Sequence, residues 1–470
     1  MKPRTYVYIS GAVLAALVLT VGRWGPLATA ANDSQKPVFA VDPSWPNPLP
    51  APVGADGAAH PWVTGEIAGT CIDKNDNVYT FNRGWEVGVT VNGVLQGNQG
   101  GAIVGQDAFP PSIPSPPVVE YDSDGNAIAG WGNPSLIQTG VDYGYAAYLP
   151  HGAHGCYVDH EGNIWVAGNG DGIVQKYNPN IAARDGASAA YVMQIGQKGM
   201  CDGTPTTSNP FSSCGETNDN NTSHTLLNEP PDISVDPGID PVTGKRGSIY
   251  IADGYGNHRV VVFNADGTYS RQWGTTCMIN GAPAIGQNCP PGTFGATGGG
   301  HPHCVVLGND GNVYVCDRPN SRIQVFDKTC GAASDPATGS QPVCQPKRII
   351  NIGASSGPGS DAFQNAAAAD AAAILLAGTR ACDIDFWPQK SQSTIVDVDL
   401  GNDNTWLIDK ATGIVYGALG VCGLAPCPGH NAGHFAFGHT TIVDSRGDIY
   451  VAETVTGRRI QKFVQVKYGY

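Results

Sequence analysis

Along this chain, short apolar runs alternate with polar turns rich in glycine and asparagine, and no stretch carries the apolar spacing of a long amphipathic helix. One unit recurs. It consists of an apolar run, a turn containing Gly or Asn, a strand ending in a small or acidic residue, and then a basic residue before a further apolar strand. Clear copies are His154-Gly-Cys-Tyr-Val-Asp-His-Glu-Gly-Asn-Ile-Trp-Val166 with Ile173–Tyr177, and His303-Cys-Val-Val-Leu-Gly-Asn-Asp-Gly-Asn-Val-Tyr-Val315 with Arg322–Phe326. A third runs from His439 through Asp448–Val451 to Arg459–Phe463. Looser copies are Asp232–Asp236 with Ile249–Tyr255 and Arg259–Phe263, and Gly69–Asp73 with Asn77–Arg83. A divergent sixth is read in Cys382–Phe386, Ser393–Val396 and Thr405–Ile408.

A small antiparallel sheet cannot bury both of its faces alone, so the copies must stack, and closing them into a ring leaves only short edges. The predicted fold class is therefore all-β, a six-bladed β-propeller over residues 65–465. Residues 31–64 read as an N-terminal extension and 466–470 as a tail. The segments 86–150, 178–228 and 328–380 exceed simple turns and read as elaborated loops over the propeller faces, with one short helix expected in Asn365–Leu376.

Composition agrees with this reading: 63 Gly and 35 Pro against 14% charged residues suit many short strands and tight turns. The net charge of -14 comes from scattered acidic residues, and no Lys/Arg cluster offers a phosphate stripe, so nucleic acid is not an expected partner. Residues 1–30 combine a basic start, an apolar run from Tyr6 to Val21 and a small-residue site at Ala28-Thr29-Ala30. This pattern predicts a signal peptide, or an anchor if uncleaved, and hence a secreted or periplasmic protein; an uncleaved anchor is the only expected membrane contact. Thirteen cysteines fit an oxidising compartment. Proximity pairs Cys201 with Cys214, Cys277 with Cys289, Cys330 with Cys344 and Cys422 with Cys427, while Cys71, Cys156, Cys304, Cys316 and Cys382 read as buried apolar residues inside strands.

His154, His303 and His439 each stand eight residues before the turn glycine of their copy, Gly162, Gly311 and Gly447. They occupy one structural position in the second, fourth and sixth copies, so a regular ring brings their imidazoles to the axis about 120° apart. Three neutral imidazoles with an open fourth position suit catalytic zinc, although iron and copper also accept imidazole. His151 and His301 are placed as outer-layer or loop residues, and His60, His160, His224, His258, His430 and His434 as surface or loop residues.

The repeat resembles the NHL repeat, most closely at Asp253-Gly-Tyr-Gly-Asn-His-Arg259 and Asp317-Arg-Pro-Asn-Ser-Arg322. Leu149-Pro-His-Gly-Ala-His-Gly155, Pro302-His303, Gly438-His439 and Phe81-Asn-Arg-Gly84 further resemble the peptidyl-α-hydroxyglycine α-amidating lyase family. That resemblance implies zinc on His154, His303 and His439, with Tyr255 and Arg83 as a catalytic pair acting on a carbinolamide-type substrate that is peptide-like or a small molecule. It also implies a structural calcium ion held by an aspartate after the last histidine and by backbone carbonyls near Thr70 and Cys156. This chain has Thr440 in place of the aspartate, which argues against calcium there, and Phe437 in place of a methionine near the metal. Two other readings compete: a lactonase-type propeller hydrolase, which calls for carboxylate and amide ligands on the axis, and a non-catalytic propeller that binds a partner on its loop-rich face.

Overall fold

The computed structural model describes residues 37–466 apart from 55, 84–88, 92–93, 97–112, 133–148, 151, 180–190, 199, 203–220, 287, 297–300, 333–343 and 353–380. The leader, the expected helix at 365–376, His151 and the partner proposed for Cys201 all lie outside the described residues.

Six four-stranded antiparallel sheets make up the compact unit Phe39–Tyr470. In chain order, blade 1 comprises Ile67–Ile72, Val78–Asn82, Val118–Tyr121 and Ala127–Trp131, and blade 2 comprises Ala153–Val158, Ile164–Gly168, Ile173–Tyr177 and Tyr191–Gly196. Blade 3 is built from Asp232–Ile239, Arg246–Asp253, Arg259–Phe263 and Tyr269–Trp273, and blade 4 from Cys304–Leu307, Asn312–Asp317, Arg322–Asp327 and Arg348–Asn351. Blade 5 holds Ala381–Trp387, Thr394–Asp399, Asn404–Asp409 and Val415–Ala418. Blade 6 takes Gly438–Val443, Ile449–Glu453 and Arg459–Gln465 from the end of the chain and its outermost strand, Phe39–Asp42, from the beginning. The propeller therefore reaches into the stretch read as an extension. Each innermost strand touches those of both neighbouring blades, and blade 6 touches blade 1. The ring is closed.

The reason these strands stack is visible in their alternation. In blade 2, Ile164 and Val166 join the core shared with blade 1, while Trp165 and Ala167 join the core shared with blade 3. Successive side chains leave opposite faces of a strand, so a strand between two neighbours must be apolar on both. Six such clusters result, one at each blade junction. The turn glycines that set the histidine register, Gly162, Gly311 and Gly447, have φ of 85°, 77° and 89°, a conformation that side-chain-bearing residues resist.

Two sequence expectations change. Val118–Tyr121, Ala127–Trp131, Tyr191–Gly196 and Arg348–Asn351 fall within segments read as face loops, yet they are the outer strands of blades 1, 2 and 4. Cysteines read as buried thiols instead form Cys71–Cys156 and Cys304–Cys316. The first joins the inner strands of blades 1 and 2 across 85 residues of sequence, and the second joins directly opposed positions in blade 4. Cys277–Cys289, Cys330–Cys344 and Cys422–Cys427 pair as expected, and Cys382 is a buried free thiol. Among the described residues no helix is long and apolar enough to cross a membrane.

Candidate metal centre

His154 and His439 lie in the innermost strands of blades 2 and 6, and His303 immediately precedes that of blade 4, continuing its ladder by donating its N–H to Cys316 O at 2.8 Å. The three side chains are buried and their ligand atoms all lie within 4.8 Å of one another. A tetrahedral ion with bonds of about 2.1 Å needs ligand nitrogens roughly 3.4 Å apart, so slight inward movement suffices.

Each ring is aimed by the next blade. His154 Nδ1 bonds Pro231 O at 2.8 Å, His303 Nδ1 bonds Cys382 O at 2.6 Å, and His439 Nδ1 bonds Ala68 O at 2.8 Å. A carbonyl can only accept, so Nδ1 carries the proton in all three rings and Nε2 keeps its lone pair. A backbone carbonyl on the far nitrogen is the usual support of a metal-bound histidine. The donor set therefore fits a borderline ion such as zinc and offers no hard oxygen ligand for calcium.

Burial holds all three imidazoles below the usual histidine range, His439 down to about 3. Arg318 and Arg83 add to this effect, as does the crowding of neighbouring imidazoles around His154 and His303. Protons therefore compete for Nε2 only well below the ordinary value near 6.5. Metal retained per chain is expected to stay constant in samples dialysed from about pH 8 to about pH 5. Loss of half the metal near pH 6.5 would instead indicate ordinary, solvated imidazoles.

Tyr255, just beyond the second strand of blade 3, places its hydroxyl 3.4 Å from His154 Nε2 and 3.2 Å from His303 Nε2. Burial pushes its phenol up, and the guanidinium of Arg318 opposes that shift. Arg318 Nη1 donates to the Tyr255 hydroxyl at 3.3 Å, and its guanidinium lies 5.4 Å from the centre of the Tyr255 ring. Arg83 is near the same centre but is bonded elsewhere. It pairs with Glu66 at 3.0 Å and donates to Ala153 O at 2.9 Å, Gly152 O at 3.2 Å and Asn169 Oδ1 at 3.1 Å. A cation in contact with Tyr255 is Arg318, which the sequence reading did not single out. The signal was present, since Val78-Tyr-Thr-Phe-Asn-Arg83 and Val313-Tyr-Val-Cys-Asp-Arg318 place an arginine at one repeat position.

Of the other histidines, His301 is buried 3.6 Å from Asp317, and His258 and His60 are buried rather than at the surface. His258 is held in the interior by a bond from its N–H to Asn221 Oδ1, and His60 by Asp56.

Residues 300–326, which include His303 and Arg318, match the NHL repeat family. The chain is 24% identical over 268 residues to peptidylglycine alpha-amidating monooxygenase of Rattus norvegicus, covering 56% of this chain and 21% of that protein. It is 29% identical over 180 residues to the probable peptidyl-alpha-hydroxyglycine alpha-amidating lyase of Caenorhabditis elegans, 38% of this chain and 37% of the relative. It thus spans about a fifth of the rat protein's length. Among solved structures, a gluconolactonase from Xanthomonas campestris aligns with 92% of this chain and 100% of its own at 11% identity, with a TM-score of 0.42, too low to bear on chemistry. The chain is a six-bladed β-propeller carrying an NHL repeat and related in sequence to peptidylglycine-amidating enzymes.

Proposed function

We propose that this protein is an exported, metal-dependent lyase that cleaves the C–N bond of a carbinolamide, in the manner its relatives' names describe. The observation that carries the reading is the convergence of three neutral Nε2 atoms with the Tyr255 hydroxyl, itself in contact with Arg318. Zinc held by His154, His303 and His439 would supply Lewis-acid polarisation of the substrate hydroxyl. Tyr255, as phenolate, takes the hydroxyl proton; the C–O bond becomes C=O, the C–N bond breaks, and the departing nitrogen gains a proton to give the amide. A buried phenol makes a weak base at neutral pH, so Arg318 is needed to favour the phenolate. Arg83, held by Glu66, adds positive charge near the developing oxyanion and fixes the backbone just before His154. Export is supported by five disulfides among the described residues.

The test is elemental analysis of the mature protein beside a His154→Ala, His303→Ala, His439→Ala variant, with an α-hydroxyhippurate cleavage assay on both. About one zinc per chain, lost in the variant together with glyoxylate release, is the expected result. Negligible metal in both folded proteins would sink the reading, whereas metal without glyoxylate would discard only the peptidyl-hydroxyglycine-like substrate.

A further inference from the structure

The carbonyls that aim His154, His303 and His439 belong to Pro231, Cys382 and Ala68. Pro231 immediately precedes the innermost strand of blade 3, whereas Cys382 and Ala68 lie within those of blades 5 and 1. In both of these strands the ladder skips at that residue, between Ala381 and Asp383 and between Ile67 and Gly69. A bulge of this kind takes one residue out of the ladder and re-aims it. Aiming a histidine by a carbonyl needs no polar side chain, since proline and alanine do it in the other two blades. The thiol of Cys382 therefore calls for a separate account.

Cys382 is fully buried and free, while the other described cysteines are in disulfides. Its Sγ lies 3.6 Å from His303 Nδ1 rather than beside Nε2, so the sulfur is not placed as a fourth ligand. The Arg318 guanidinium hydrogen-bonds the same sulfur and, through Nη1, donates to the Tyr255 hydroxyl at 3.3 Å. The strand Ala381–Trp387 touches the short turn Arg318–Asn320, so this contact spans the junction of blades 4 and 5. Protonated Nδ1 and a guanidinium can only donate, which makes the sulfur the acceptor between them. A long arginine side chain gripped by an acceptor in one blade and a hydroxyl in another is held to one geometry.

We propose that Cys382 is a positioning residue of the metal centre: its carbonyl aims His303, and its sulfur holds Arg318 against Tyr255. One residue of blade 5 thereby sets both a ligand and the cation beside the base. The kinetic consequence rests on the lyase reading; the coupling of Cys382 to Arg318 does not.

The experiment is a double-mutant cycle on the mature full-length protein: Cys382→Ala, Arg318→Met and the two together, with Cys382→Ser as the conservative variant. About one metal per chain is expected in each, because the carbonyl that aims His303 belongs to the backbone. On α-hydroxyhippurate, Cys382→Ala is expected to lower kcat by about 10–100-fold with KM within about threefold of wild type. Cys382→Ser keeps an acceptor and is expected to hold kcat within about threefold of wild type. Added to Arg318→Met, the alanine change is expected to cost less than about twofold more, since its effect passes through Arg318. A kcat for Cys382→Ala within about threefold of wild type overturns the proposal, as does the full loss repeated in the Arg318→Met background. Melting temperatures of the same four proteins give a readout independent of turnover: the double variant is expected to shift by less than the sum of the single shifts. If the wild type releases no glyoxylate, the lyase reading fails by itself, and additive melting shifts then overturn the positioning role. Cys382→Val, which fills the space without an acceptor, replaces the alanine variant if that does not fold, with the same expectations.

Discussion

Tyr255→Phe is expected to leave about one metal per chain in place and to lower the rate of C–N cleavage by about 10²–10⁴. The ring stays and only the hydroxyl goes, so packing beside His154 and His303 is preserved. What disappears is the one titratable oxygen that lies 3.4 Å and 3.2 Å from two of the ligand nitrogens. Steady-state kinetics on α-hydroxyhippurate, read with elemental analysis of the same sample, decide the matter. A rate within about threefold of wild type would remove Tyr255 as the base. The companion change, Arg318→Met, carries a sign. Arg318 holds the phenol lower than burial alone would, so its loss raises the phenol and moves the rising limb of the pH–rate profile to higher pH. If the profile stays in place, the charge of Arg318 does not act through Tyr255.

The largest loss of stability is expected from Asp317→Ala. Asp317 is completely buried, and its Oδ2 accepts bonds from Arg322 Nε at 2.7 Å, Asn320 Nδ2 at 2.8 Å and Gln324 Nε2 at 3.2 Å. Its Oδ1 accepts the Gly295 N–H at 3.1 Å. Among the described residues, removing the carboxylate leaves the buried Arg322 guanidinium with carbonyl partners alone, at Cys289, Pro290 and Thr293. Breaking one side of a buried pair typically costs about 3–5 kcal/mol, mostly because the surviving charge stays desolvated. Urea unfolding followed by tryptophan fluorescence measures it. A shift under about 1 kcal/mol would mean that the carbonyls alone satisfy Arg322. Because Asp317 immediately precedes Arg318, the variant is also expected to lose activity beyond its loss of folded protein.

The ring was legible in the sequence because its repeat is carried by apolar runs and a turn glycine that recur whatever the loops do. The same register placed the three histidines, and the positive φ at Gly162, Gly311 and Gly447 is its physical basis. The outer strands were harder to read. Thirty-five residues separate Asn82 from Val118 in blade 1, and the fourth strand, Ala127-Ile-Ala-Gly-Trp131, is built largely of small residues with no strong strand preference. The Cys71–Cys156 bond was out of reach, since only the stacking of blades 1 and 2 brings residues 85 apart together. Arg318 was missed for a different reason. Its repeat position matched Arg83, but contact with Tyr255 depends on blade 4 lying beside blade 3, a neighbour relation that no local motif encodes.

The bond from His439 to the Ala68 carbonyl crosses the seam where the last blade meets the first. In a chain emerging from its N-terminus, this is the junction that forms only after the final strands arrive. Until then one imidazole is unaimed and the third ligand is out of place. Metal uptake at the proposed site would thereby be tied to completion of the ring: an unfinished or opened propeller would hold metal weakly, and a loaded one would certify that the first and last blades have met.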